Sequence, residues 1–260
     1  MKLPNIQGAF AQSGFFIYVA CDEHYFDEFA VSLVNSVKRN TTAGIHLHIF
    51  NPRQDQLNYY NTDNRVSVTY EQIEAKDFIP ATLNLEKVGG IKYDRSVTAM
   101  KKGNDVDLVQ RVIKTYFACA RFVRLNEIIT KPLNVFAIDI DALVRKEITP
   151  PEGNVDFFIH HITGAKARFL AGGMFLLDNK NSLSYLTEYA SVLKTHIEND
   201  HLYWSLDQDV LDFIVPKYRY GDLPMSYIDW NMNQTSSVWT AKGTRKDLAT
   251  FVNEKKKYNS

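Results

Sequence analysis

The chain has 260 residues, 45% of them hydrophobic, enough to bury one sizeable core or two small ones. Its 30 basic residues balance 30 acidic ones, so it carries no electrostatic footprint for nucleic acid or for an anionic membrane surface. The two cysteines, Cys21 and Cys119, lie far apart in apolar segments and read as reduced, buried thiols; no run of about 18 apolar residues marks a membrane span, and a soluble cytoplasmic protein is expected.

Residues 15–20 read as a strand that runs into Cys21-Asp22-Glu23-His24-Tyr25. From 26 to 39, apolar residues recur at Phe26, Phe29, Ala30, Leu33, Val34 and Val37, the spacing of a helix, and residues 45–50 alternate as a second strand. Strand, helix, strand opens an α/β unit with parallel strands. Ligands of such sheets sit at the carboxyl ends of strands, which makes the loop 20–25 a binding candidate. Its other reading is a helix cap, with Asp22 or Asp27 accepting backbone hydrogen bonds. His46 and His48 read as outward-facing strand residues.

Residues 66–70 form a third strand. Gly89-Gly90 and Lys101-Lys102-Gly103 then break the pattern, and these lysines either reach a phosphate or sit in a solvated loop. Residues 106–125 carry Val109, Val112, Ile113, Phe117, Ala120 and Val123 on one helical face. Arg111, Arg121 and Arg124 lie along the same helix, where one arginine facing a pocket can clamp a phosphate.

The helix leads into the apolar run 135–138 and then Asp139-Ile140-Asp141. The sequence holds three Asp-x-Asp pairs, whereas its 19 Asp predict about one by chance, so context must choose among them. Asp105/Asp107 lies in a polar stretch and Asp207/Asp209 opens a helix; Asp139/Asp141 alone follows an apolar strand. In an extended chain Asp139 and Asp141 share one side while Ile140 points back into the protein. Two ionised carboxylates that close repel and lose hydration unless a cation lies between them or one is protonated. Oxygen ligands suit a hard divalent ion, Mn2+ or Mg2+. The competing reading is a solvated strand end whose Asp side chains shape the turn.

Residues 156–161 form another strand, on which His160 and His161 must point oppositely. Gly172-Gly173 precede a strongly apolar strand, where they admit close approach of a ligand or form a bulge. Residues 182–197 are an amphipathic helix, and another begins near 204 with Asp207 and Asp209 complementing its dipole. In the tail, Gly243 lies among Lys242, Arg245 and Lys246, which suits a diphosphate as well as a solvated loop.

Taken in order, these pieces resemble the nucleotide-sugar glycosyltransferases of the GT-A fold, most closely glycosyltransferase family 8, over roughly residues 15–246. The resemblance implies one α/β domain across 1–260, with a Rossmann-like, mostly parallel central sheet flanked by helices and a tail from about 216 closing over the donor site. It implies that Ala20, Cys21, Asp22 and Tyr25 contact the nucleoside, that Arg121 contacts the nucleotide-sugar, and that Asp139-Ile140-Asp141 binds Mn2+ and through it the diphosphate. Gly172 and Gly173 match the segment beside the transferred sugar, and Asp207-Gln208, with Asp209 next to them, the reacting centre. Lys242, Gly243 and Lys246 fall in the diphosphate motif. Two positions depart from the family pattern. Thr240 stands where the family has a metal-binding His, and Leu170 where it has an Asn.

The implied activity is metal-dependent transfer of a sugar, most simply from a UDP-sugar, to an acceptor hydroxyl with retention, with Asp207 or Asp209 as general base if the reaction inverts. A sugar nucleotidyltransferase is the rival enzyme class, but its Gly-rich basic loop is replaced here by Cys21-Asp22-Glu23-His24. A non-catalytic nucleotide- or carbohydrate-binding protein is the alternative outside catalysis.

Overall fold

The computed structural model describes residues 1–10, 14–60, 63–87, 108–163 and 168–259. Gly89, Gly90, Lys101, Lys102 and the Asp105/Asp107 pair lie outside the described residues.

Eleven strands are described: β1 (Gln7–Ala9), β2 (Phe16–Asp22), β3 (Gly44–Phe50), β4 (Val66–Glu71), β5 (Val135–Ile138), β6 (Ala142–Val144), β7 (Phe157–Ile162), β8 (Arg168–Leu176), β9 (Tyr220–Asp222), β10 (Ile228–Asp229) and β11 (Val238–Thr240). Eight form a sheet in the order β1-β4-β3-β2-β5-β8-β7-β9, and β10-β11-β6 form a smaller one. Strands β4, β3, β2 and β5 run parallel to one another, β1 pairs antiparallel with β4, and β8 inserts antiparallel between β5 and β7. The central parallel strands β2 and β5 are near-continuous apolar runs because protein covers both faces of the sheet there.

On one face lie α1 (Leu108–Ile128), α2 (Lys180–Glu198) and α3 (Leu206–Ile214); on the other lie the helix α4 (Val31–Asn40), the small sheet and α5 (Ala249–Lys256). The period-2 rule is visible in β5, where Val135 and Ala137 pack into the first core while Phe136 and Ile138 pack into the second. After Ile138 the chain crosses from the large sheet into the small one, and Asp139-Ile140-Asp141 make that crossing. The helical spacing seen from Phe26 begins as a π-helical turn, Phe26–Ala30, and continues as α4.

Two expectations are corrected. His46 and His48 do not face outward but are fully buried, because β3 lies inside the sheet with packing on both sides. Ser67 and Thr69 satisfy the His46 ring at 2.8 Å each, and Thr69 also meets His48 Nδ1 at 3.0 Å. Gly172 and Gly173 lie within β8 rather than ahead of it.

Candidate active site

The carboxyl end of β5 gathers groups from four distant segments. Arg121, partly buried on α1, donates from Nη1 to Asp139 Oδ1 at 2.5 Å and stands 3.6 Å from Asp207 Oδ2 on α3. Gln208 Nε2 donates to Asp207 Oδ2 at 2.8 Å while its Oε1 accepts the Ala171 N–H of β8 at 3.3 Å. Asp209 lies in the same first turn, its N–H on the Ser205 carbonyl at 3.0 Å.

Gly172 packs against Asp139: a Cβ built on it would lie 2.4 Å from Asp139 Oδ2, closer than real contacts allow. A residue without a side chain is therefore what lets the carboxylate occupy this position. Gly173 faces elsewhere, toward His160 and Ile228.

Asp141 meets the C-terminal segment. Lys246 Nζ lies 3.5 Å from Asp141 Oδ2, donates to the Tyr25 hydroxyl at 2.5 Å and sits 4.0 Å from the Tyr25 ring centroid. Asp22 accepts the Tyr25 N–H at 2.8 Å, so the capping role read from the sequence holds and also fixes Tyr25. Ala20 and Cys21 belong to β2, and the Cys21 thiol is buried, which pushes its pKa up and leaves it unreactive. Ile140 is turned into the core at 4% exposure, so its backbone, not its side chain, borders the site. Lys242 and Gly243 are exposed at the start of the final turn, and Gly243 takes φ +68°.

The carboxylates differ in their electrostatics. Burial opposes ionisation of Asp139, yet Arg121, and after it Lys242, hold its pKa below the ordinary value. Burial raises Asp141 to about 6, and the Asp139 charge adds to the effect. Burial also raises Asp207, with Arg121 opposing.

The donor set fits a hard divalent ion. Among the described residues, Asp141 Oδ1 is buried without a hydrogen-bond partner, as is Thr240 Oγ1 on β11, whose neighbour Ala241 bonds through its N–H to the Asp141 carbonyl at 2.9 Å. Two carboxylates, one with an orphaned oxygen, are what a cation would satisfy. Among the described residues no group of three or more His, Cys, Asp or Glu gathers where it could hold a metal ion.

Compared with solved structures, the chain aligns over 94% of its length with 96% of the galactosyltransferase LgtC, solved in complex with donor and acceptor sugar analogs, at a TM-score of 0.54 and 15% identity. It aligns over 94% of its length with 60% of the glycosyltransferase GlyE of Streptococcus pneumoniae (TM-score 0.54, 13% identity) and with 50% of the bifunctional glycosyltransferase WbbM (TM-score 0.51, 13% identity). The chain has the GT-A fold. No family model and no curated protein matches the sequence, so the likeness lies in the course of the backbone.

In this GT-A fold, β2 and β5 are adjacent parallel strands, which brings the loop after β2 beside the Asp pair after β5. The final segment adds Lys246 to both. Among the described residues no helix is long and apolar enough to cross a membrane. His160 of β7, read from the sequence without a partner, stacks on Trp230 and lies with its Cβ against Gly173 of β8; the stack joins residues about 70 positions apart, and no local spacing signals it.

Proposed function

We propose that the chain is a glycosyltransferase that moves a sugar from a nucleoside diphosphate sugar, a UDP-sugar, to an acceptor hydroxyl. The observation that carries this reading is the Asp139/Asp141 pair at the carboxyl end of β5, held between Arg121 with Asp207 on one side and Lys246 with Tyr25 on the other. The GT-A fold supports it, as does the coverage of LgtC from end to end.

Asp139 and Asp141 would hold Mn2+ or Mg2+, which supplies Lewis-acid stabilisation of the departing diphosphate. Lys246 places a second positive charge beside Asp141 for the same leaving group, and Tyr25 offers an aromatic face for the base. Asp207, positioned by Arg121 and Gln208, faces the centre where the anomeric carbon gains positive character. Family 8 resemblance favours retention, with the leaving phosphate taking the acceptor proton. The tail from about 216 contributes Lys242 and Lys246 and covers the donor in this reading.

Thermal unfolding tests the donor site. UDP with Mn2+ should raise the midpoint by more than the two separate effects, since a ligand at about 100 times its dissociation constant adds about 2.7 kcal/mol. Asp139→Ala should fold and lose this synergy. No shift with any nucleoside diphosphate, with or without metal, overturns the proposal. NMR of the product anomer tests retention, and an inverted product would transfer the base role to Asp207 or Asp209.

A further inference from the structure

Trp230 is half-buried and stands outside the groups assigned above. Its indole lies on the His160 imidazole with centroids 4.9 Å apart and planes at 13°. The loop that carries it is built around Asp229, which is fully buried and accepts the N–H groups of Asn231 and Asn233 at 2.7 Å each and the Ser236 hydroxyl at 3.2 Å. Trp239 Nε1 ties the same loop at Asn233 O, 2.7 Å away. A partly exposed ring fixed this firmly presents one plane to whatever reaches it.

The backing His160 is drawn onto β8 by Gly173, where a Cβ would lie 3.2 Å from the His160 Cβ. Burial holds this imidazole below its ordinary pKa, so it is a neutral, flat support. Lys242 links the ring to the Asp pair: its Nζ lies 5.7 Å from the Trp230 centroid, and its neighbour Ala241 donates its N–H to the Asp141 carbonyl at 2.9 Å. Trp230 therefore stands beside the segment that closes against Asp141.

A pyranose ring has an apolar face of axial C–H groups and a rim of hydroxyls. Its C–H face, slightly positive, lies flat on the negative face of an indole, leaving the rim free for charged neighbours. A flexible hydroxyl-bearing peptide gains little from a rigid plane. We infer that Trp230, backed by His160, is an acceptor subsite that takes the pyranose ring of a carbohydrate acceptor; this rests on the transferase reading.

Saturation-transfer NMR with UDP and Mg2+ tests it, using methyl pyranosides and disaccharides of glucose, galactose, mannose and xylose beside a Ser/Thr peptide. At least one sugar should receive saturation on a single C–H face. Trp230→Ala should weaken that binding roughly tenfold, Trp230→Phe should retain most of it, and Tyr59→Ala, at another exposed aromatic, should leave it unchanged. The UDP-induced rise in melting midpoint, measured on each variant, shows that the fold and donor site are intact. With that rise intact, the subsite is overturned if no sugar binds, if only the peptide binds, or if sugar binding survives Trp230→Ala. If UDP gives no rise in the wild type while Trp230-dependent sugar binding persists, the transferase reading falls and the carbohydrate platform stands.

Discussion

The Arg121 guanidinium stands between two acids, donating to Asp139 Oδ1 at 2.5 Å and lying 3.6 Å from Asp207 Oδ2. One planar fork thus sets the spacing between the two carboxylates that the proposed function assigns to the metal and to the reacting carbon. A lysine carries the same charge but cannot span two acceptors in a fixed plane. Arg121→Lys should therefore lower transfer turnover by about 100-fold with a melting midpoint close to wild type. Steady-state kinetics with a UDP-sugar checks this, and wild-type turnover would remove Arg121 from the site.

Gly172→Ala tests the cradle for Asp139. The added methyl must displace either the carboxylate or strand β8. Stability should fall by about 1–3 kcal/mol, the cost of overpacking. The synergy between UDP and Mn2+ should also weaken about tenfold or more, read by calorimetric titration; unchanged affinity would show that Asp139 is not held by this contact.

Lys246 reaches Asp141 and Tyr25 from the far end of the chain. A charge-assisted contact is worth about 1.5–3 kcal/mol, so Lys246→Met should weaken UDP binding by roughly 10- to 100-fold. Tyr25→Phe removes only the hydroxyl and keeps the ring, and its effect should be smaller. Equal losses in the two variants would mean that the hydroxyl, not the ammonium charge, does the binding.

Acid should destabilise the fold below pH 6.5. Burial lowers His46 to about 3 and also carries His48 well below its ordinary value, so both stay neutral in the folded state. As pH drops under 6.5 the unfolded chain takes up protons at both sites and the folded chain does not, and stability falls by about 1.4 kcal/mol per pH unit for each. Asp141, raised to about 6, and Asp207 and Glu71, also raised by burial, bind protons in the folded state as pH falls and offset part of this loss, so the histidine contribution is read from the difference between wild type and a His46 variant. His46→Gln should flatten the slope between pH 6.5 and 5 by about 1.4 kcal/mol per unit in denaturant melts across pH. An unchanged slope would mean His46 titrates normally.

Arg124 shows how helix position alone misleads. It shares the helix with Arg121, three residues on, yet it serves the core, donating to buried Glu71 and to Glu127. Arg124→Met leaves the Glu71 charge without its partner and should cost about 3–5 kcal/mol of stability, measured by urea unfolding. A loss under about 1 kcal/mol would mean that Tyr116, which donates to Glu71 Oε1 at 2.5 Å, suffices to hold it.

The sequence by itself determined strands β2, β3, β4, β5, β7 and β8, the long helices and the Asp pair after β5, because hydrophobic periodicity is local: it reports which face each residue presents within its own element, and the two- and three-residue strands β1, β6, β9, β10 and β11 are too short to show it. It also marked Arg121, Asp207 and Lys246 one by one. Tertiary structure alone decided which of these meet. Arg121 reaches Asp139 and Asp207 because α1 and α3 pack on one face of a sheet whose order no spacing reveals. Lys246 meets Tyr25 across 221 residues. The burial of His46 and His48 followed from β3 lying inside the sheet, and the Trp230–His160 stack from a loop folded onto β7. Such contacts depend on strand order and on how layers pack, and those are properties of the whole chain rather than of any window within it.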